Sequence, residues 1–117
     1  MVDLSSKFLN LTGPESYDRG TIGSCQSFSC SLRVLNDGIE TFPHKTKFEL
    51  IGGDVVRFRS FGDTLFSPGE ERTIGLLIFT PPQGNYRCEF QFQGPKPSKR
   101  LFGEKVTIYF RVDRDAK

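Results

Sequence analysis

The strongest signal in the chain is the alternation of apolar and polar positions. Over 27–34, Phe28, Cys30, Leu32 and Val34 share one parity, and Ser27, Ser29, Ser31 and Arg33 share the other. A period of two gives a strand one buried and one wet face. Asn36-Asp37-Gly38 ends this run, because short polar side chains bond their own backbone and glycine accepts positive φ. Phe48 and Leu50 alternate with Lys47 and Glu49, Gly52-Gly53-Asp54 breaks the chain, and Val56 and Phe58 then alternate with Arg57 and Arg59. These two short strands are expected to pair as a hairpin. Ser67-Pro68-Gly69-Glu70 is a turn, with proline presetting φ at its second position. The segment 73–80 is continuously apolar from Leu76 to Phe79 and is stopped by Pro81-Pro82, which cannot donate to a ladder. Tyr86, Cys88, Phe90 and Phe92 alternate with Arg87, Glu89, Gln91 and Gln93. After a proline-bearing loop at 94–99, Val106, Ile108, Phe110 and Val112 alternate with Lys105, Thr107, Tyr109 and Arg111.

With a first strand at 7–11, this pattern predicts about seven strands and an all-β, immunoglobulin-like antiparallel β-sandwich. The shared parity predicts an inter-sheet core of Phe28, Leu32, Val34, Phe48, Leu50, Ile74, Leu76, Ile78, Tyr86, Phe90, Phe92, Ile108 and Phe110. Composition agrees. There is one alanine, the best helix former, against 12 phenylalanines, and 12 glycines and 7 prolines punctuate the chain. A length of 117 residues fits a single domain over 1–117, with 1–19 and 113–117 expected as loose ends.

The spacing of particular residues carries two resemblances. Gly84-Asn85-Tyr86-Arg87-Cys88 resembles strand F of the immunoglobulin superfamily, with a corner tyrosine two residues before the second cysteine. Cys30 then stands inward on an earlier strand, but the chain has no tryptophan for that family's core. The second resemblance covers roughly 20–113. Phe28, Leu32, Asn36, Gly38 and Phe42 come first, followed by a hairpin at Phe48-Glu49-Leu50-Ile51-Gly52-Gly53-Asp54. Pro68-Gly69, Thr80-Pro81-Pro82, Gly84-Asn85-Tyr86, Phe90 and Phe102-Gly103 follow in order. This series resembles the four-tryptophan (FW) immunoglobulin-like domain of Nbr-type selective-autophagy receptors. The family's tryptophans are replaced here by Leu32, Phe42, Phe90 and Thr107, so the chain resembles a divergent member. The resemblance implies a non-catalytic protein-interaction module for autophagy cargo, acting as a cytoplasmic adaptor. The alternatives are an extracellular immunoglobulin-type adhesion or receptor domain, or a structural domain with no ligand.

The residues that could carry chemistry are few. Cys30 and Cys88 are either a sandwich disulfide or two buried thiols acting as small hydrophobes. The first residues, MVDLSSKFLNLTG, lack the basic start and apolar stretch of a secretory signal, so the expectation is a reducing, cytoplasmic setting with reduced thiols. Cys25, Cys30 and the single histidine, His44, have no zinc-site spacing. Asp37, Asp54 and Asp63 sit beside glycines, as turn residues do. No enzyme activity, metal or cofactor is therefore expected. Asn10-Leu11-Thr12 fits a glycosylation sequon, a pattern frequent by chance.

The net charge of +2 forces no charged partner, and nucleic acid is poorly supported. The longest apolar run, Leu76-Leu77-Ile78-Phe79, is far short of a membrane span. For a protein or peptide partner the sequence offers Arg87, Lys105, Tyr109 and Arg111 on one outward parity, with Lys96, Lys99 and Arg100 in the nearby loop. Glu89 and Glu104 dilute the positive charge. Such a face is either ordinary solvated sheet or a basic, tyrosine-centred surface for an acidic peptide. The loops holding His44 and Asp63 are the second place to look.

Overall fold

The computed structural model describes residues 4–13, 15–23, 25–62, 64–95, 97 and 99–115. Its strands are β1 (Lys7–Phe8), β2 (Ser16–Ile22), β3 (Ser27–Leu35), β4 (Lys47–Gly53), β5 (Phe58–Phe61), β6 (Glu71–Phe79), β7 (Gly84–Gln93) and β8 (Leu101–Val112). They form two four-stranded sheets, β1-β3-β6-β5 and β2-β8-β7-β4. This is the immunoglobulin-like sandwich, with no helix among the described residues. β4 and β5 do not pair with each other. They are neighbours in sequence but edge strands of opposite sheets.

The expected hairpin is thus corrected, and so are two further expectations. The N-terminal segment is not a loose end: β1 pairs with β3, and β2 runs alongside β8. The β2–β8 pair is also parallel, so the sandwich is not wholly antiparallel. The chain switches sheets between β1 and β2. β2 escapes a reading by alternation because its side chains are mostly exposed and its attachment to β8 is through the backbone.

The inward parity holds along β3 and β7 and, for the apolar side chains, along β6 and the second half of β8. All the expected core residues are buried except Leu50 and Tyr86, which are half-buried and pack against the rest. A bulge between Leu50 and Gly52 breaks the alternation of β4. Tyr86 leans on Phe110 at 5.1 Å between ring centroids and donates its hydroxyl to the Pro82 carbonyl at 2.6 Å, so it is a tyrosine corner.

Sequence periodicity missed Phe42 and Phe66. They lie outside the strands yet are fully buried. Phe42 stacks on Phe66 at 4.9 Å and meets Phe102 edge-on at 4.9 Å and Phe92 at 5.3 Å. Phe92 continues the cluster to Phe48 at 5.0 Å, and Phe48 stacks on Phe90 at 5.6 Å. Asn36 positions these loops. It is fully buried, and its Nδ2 donates to the carbonyls of Glu40 (2.9 Å) and Phe66 (3.2 Å). Its Oδ1 accepts from Gly38 N–H at 3.0 Å, while its own backbone bonds Glu70 (3.0 Å) and Gly69 (2.8 Å).

Side chains finish the edge of β3 beyond the two residues of β1. Asn10 donates from Nδ2 to Ser31 O and accepts from Arg33 N–H, both at 2.9 Å, so its amide stands in for a strand peptide. The asparagine of the sequon therefore has a structural task. Arg19 Nε donates to Ser29 O at 3.0 Å. On the other sheet Asp54 caps β7 by taking both backbone groups of Arg87, at 2.7 and 2.8 Å. Gly53 beside it has φ 77°, and a Cβ there would lie 2.2 Å from the Arg87 carbonyl, so only glycine fits.

Asn36→Ala would strip the Glu40 carbonyl of its donor, the Gly38 N–H of its acceptor and the buried Phe66 carbonyl of one of its two donors, at about 1–3 kcal/mol for each stranded buried group. Phe66→Ala is expected to cost about 3–5 kcal/mol. Asp37→Ala, next to Asn36 but exposed, is expected to change stability by less than about 0.5 kcal/mol. Urea denaturation of the three variants checks this ordering.

Candidate anion-binding cleft

The sheet β2-β8-β7-β4 turns its outer face to solvent, and the basic residues singled out in the sequence lie on it or at its end. They do not form one patch. Tyr109 and Arg111 lie near one end of β8 and Arg100 just before the other. The eight steps from Leu101 to Tyr109 span about 27 Å at a strand's rise. The middle is closed by an ion-pair network. Lys105 Nζ donates to Glu89 Oε1 at 2.8 Å, and Arg87 approaches the other oxygen of Glu89 at 3.8 Å. The hydrogen bond between Lys105 and Glu89 pushes the lysine up from its ordinary pKa and the glutamate down. Arg87 and Lys105 are thus already engaged. Arg111 lies 3.9 Å from Asp113, and Tyr109 is 42% exposed beside a shallow depression that also takes in Asp18 and Asn85. Lys96 and Asp63 lie outside the described residues.

The concentration of free positive charge is at the opposite end, where the sequence reading had only half of it. Lys47 on β4 faces Gln93 on β7 in the ladder. After Gln93 the chain folds back: Gly94 N–H bonds Arg100 O at 2.8 Å, Lys99 N–H bonds Pro95 O at 3.1 Å, and Gln93 Nε2 donates to Lys99 O at 3.2 Å. Before β4, Thr46 closes a turn on the Pro43 carbonyl through its N–H (3.3 Å) and its hydroxyl (2.7 Å). Lys45 and Lys99 both adopt positive φ, 64° and 48°. Between the two turns lies a cleft of about 310 Å³ lined by Lys45, Lys47, Glu49, Gln93, Gly94, Pro95 and Lys99. None of its three lysines makes an ion pair among the described residues, and Glu49 is the single acid in its lining. Alternation along single strands could not find this site, because Lys45 and Lys47 lie at the start of β4 and Lys99 in the distant loop between β7 and β8.

The remaining chemistry is structural. Cys30 and Cys88 are buried free thiols, and burial pushes both up to about 11, with the Asp54 charge adding to the rise at Cys88. A thiol held protonated is a poor nucleophile. Cys25 is exposed, with Sγ 3.8 Å from Thr80 Oγ1. His44 is exposed in the turn before β4. Among the described residues no group of three or more His, Cys, Asp or Glu side chains is placed to hold a metal. Among the described residues no helix is long and apolar enough to cross a membrane.

No protein-family model and no curated protein matches the chain. Among solved structures, the fold is similar to part of the secreted serine protease VesC from Vibrio cholerae. That match has a TM-score of 0.56 and 11% identity, covering 95% of this chain and 23% of that one. A second is the VesB protease of Vibrio cholerae, with a TM-score of 0.42 and 12% identity, covering 95% of this chain and 32% of that one. The chain thus spans less than a third of either protein's length. These findings correct the functional expectation. The solved chains are bacterial proteases, and nothing among them supports a cargo-recognition module of selective autophagy.

The thiols give a direct check. In native protein, Ellman's reagent is expected to titrate Cys25 rapidly and Cys30 and Cys88 only on unfolding. Folding raises the pKa of both buried thiols from 9.0, so the folded state keeps protons that the unfolded state has released. Stability from this source is complete below pH 9 and falls as pH rises towards about 11. Replacing both cysteines by alanine is expected to flatten the fall in urea midpoint across that window.

Proposed function

We propose that the chain is a non-catalytic accessory domain of a longer polypeptide, and that it contributes an anion-binding cleft which holds the carboxylates of an acidic protein segment. The observation that carries this reading is the convergence of Lys45, Lys47 and Lys99, unpaired, on one cleft at the end of the sandwich. Elsewhere on the same sheet the basic side chains near Glu89 and Asp113 have carboxylate partners of their own. Three ammonium groups around a concave surface attract carboxylates from a distance and hold them by charge-assisted hydrogen bonds. The cleft is open and wet, so it suits weak, salt-sensitive binding. The accessory role draws support from VesC, where a similar fold makes up less than a quarter of a longer chain. The protonated buried thiols and the exposed, isolated histidine support the absence of catalysis.

A capped hexaglutamate peptide titrated into the isolated chain at low salt is expected to shift the amide resonances of 45–49 and 93–100. Lys47→Glu with Lys99→Glu is expected to weaken binding at least tenfold, and Arg111→Glu to change it less than twofold. Shifts centred instead on Tyr109 and Arg111 would return the site to the far end of β8.

A further inference from the structure

The cleft has a neighbour. A second hollow, of about 260 Å³, opens at the same side of the sandwich, between the edge strands β4 and β5. Its lining includes Ser60, Phe61, Thr64 and Ile74, and Lys47 belongs to both hollows. Phe61 is 57% exposed, with its ring laid over Gly75, where a Cβ would meet it at 2.3 Å. The free edge of β4 runs from this shared point. Its only strand partner is β7, and no other backbone or side-chain group among the described residues bonds the β4 backbone from Lys47 to Gly53. The contrast with β3 is physical. Asn10 and Arg19 fill the edge of β3, while β4 keeps a row of unsatisfied donors and acceptors.

We infer that β4 is a docking edge at which an extended acidic segment of a protein partner adds as a fifth strand of the β2-β8-β7-β4 sheet. The inference rests on the anion-binding reading of the lysine cleft and adds the conformation and side-chain pattern of the occupant. A strand laid about 4.8 Å from β4 sends successive side chains to opposite sides. On one side they meet Lys45, Lys47 and Lys99, which call for carboxylates. On the other they meet the hollow bordered by Phe61 and Ile74, which is small and partly apolar and calls for a short aliphatic side chain. The occupant therefore alternates acidic and aliphatic residues. Main-chain hydrogen bonds supply affinity, and the two hollows read alternate positions. The lysines give charge complementarity to an acidic strand.

The test uses the capped octapeptide (Glu-Val)4 and two N-methylated forms of it, one methylated at every glutamate and one at every valine. In an added strand only one of these sets of N–H groups faces β4. One methylated form is therefore expected to lose at least tenfold in affinity and the other less than threefold. Lys47→Glu with Lys99→Glu is expected to weaken (Glu-Val)4 at least tenfold, and Phe61→Ser to reduce its advantage over hexaglutamate. If hexaglutamate binds with the same lysine dependence while (Glu-Val)4 has no advantage and methylation has no effect, strand addition is overturned and the anion cleft stands. If neither peptide binds, or binding ignores the lysine changes, both readings fall.

Discussion

A single buried amide holds one end of this molecule together. Asn36 ends β3, and from that position its side chain and backbone bond Gly38, Glu40, Phe66, Gly69 and Glu70. A buried polar group is costly unless satisfied, and this one is satisfied at both its amide nitrogen and its oxygen. The consequence reaches the core. Phe66 is brought in by its own carbonyl, and Phe42 follows because its N–H bonds the same carbonyl at 2.9 Å. These two rings fill the space between the sheets beside Phe92 and Phe102. A chain without tryptophan thus builds an aromatic core from many smaller rings, two of which are drawn from loops by hydrogen bonds.

How much of this was legible follows from where each residue sits. Alternation identified the inward faces of β3, β7 and β8, because there one side of the strand meets the core and the other meets water. It had no hold on Phe42 or Phe66, whose burial depends on Asn36 and not on any period. Thr107 shows the opposite failure. Its parity is outward, yet it is buried, because β2 lies on one side of it in the ladder and Glu89 on the other. Of the four positions where the FW resemblance places a tryptophan, Leu32, Phe42 and Phe90 are core residues and Thr107 is covered by its neighbours. The activity attached to that resemblance finds no support in the similar solved structure.

The candidate site was half legible for a related reason. Side-chain parity says which face a residue is on but not how far along the strand it lies. Tyr109, Arg111, Lys99 and Arg100 belong to one run of sequence and looked like one surface, yet the length of β8 separates them. What joins Lys99 to Lys45 and Lys47 is the antiparallel pairing of β4 with β7, which sets the turn before β4 beside the turn after β7. That contact is long-range, and no local pattern announces it.

The distribution of satisfied and unsatisfied groups then decides where binding can occur. At the centre of the outer face, Glu89 is largely covered and already pairs with Lys105 and Arg87, so an incoming carboxylate would compete with an existing partner for little gain. At the far end Asp113 lies close to Arg111. At the β4 end three ammonium groups without ion pairs among the described residues occur together with the open backbone of an edge strand. Lysines on an edge commonly protect it from aggregation. Here the same lysines would also attract an acidic strand, so protection and selectivity would come from one feature of the sequence.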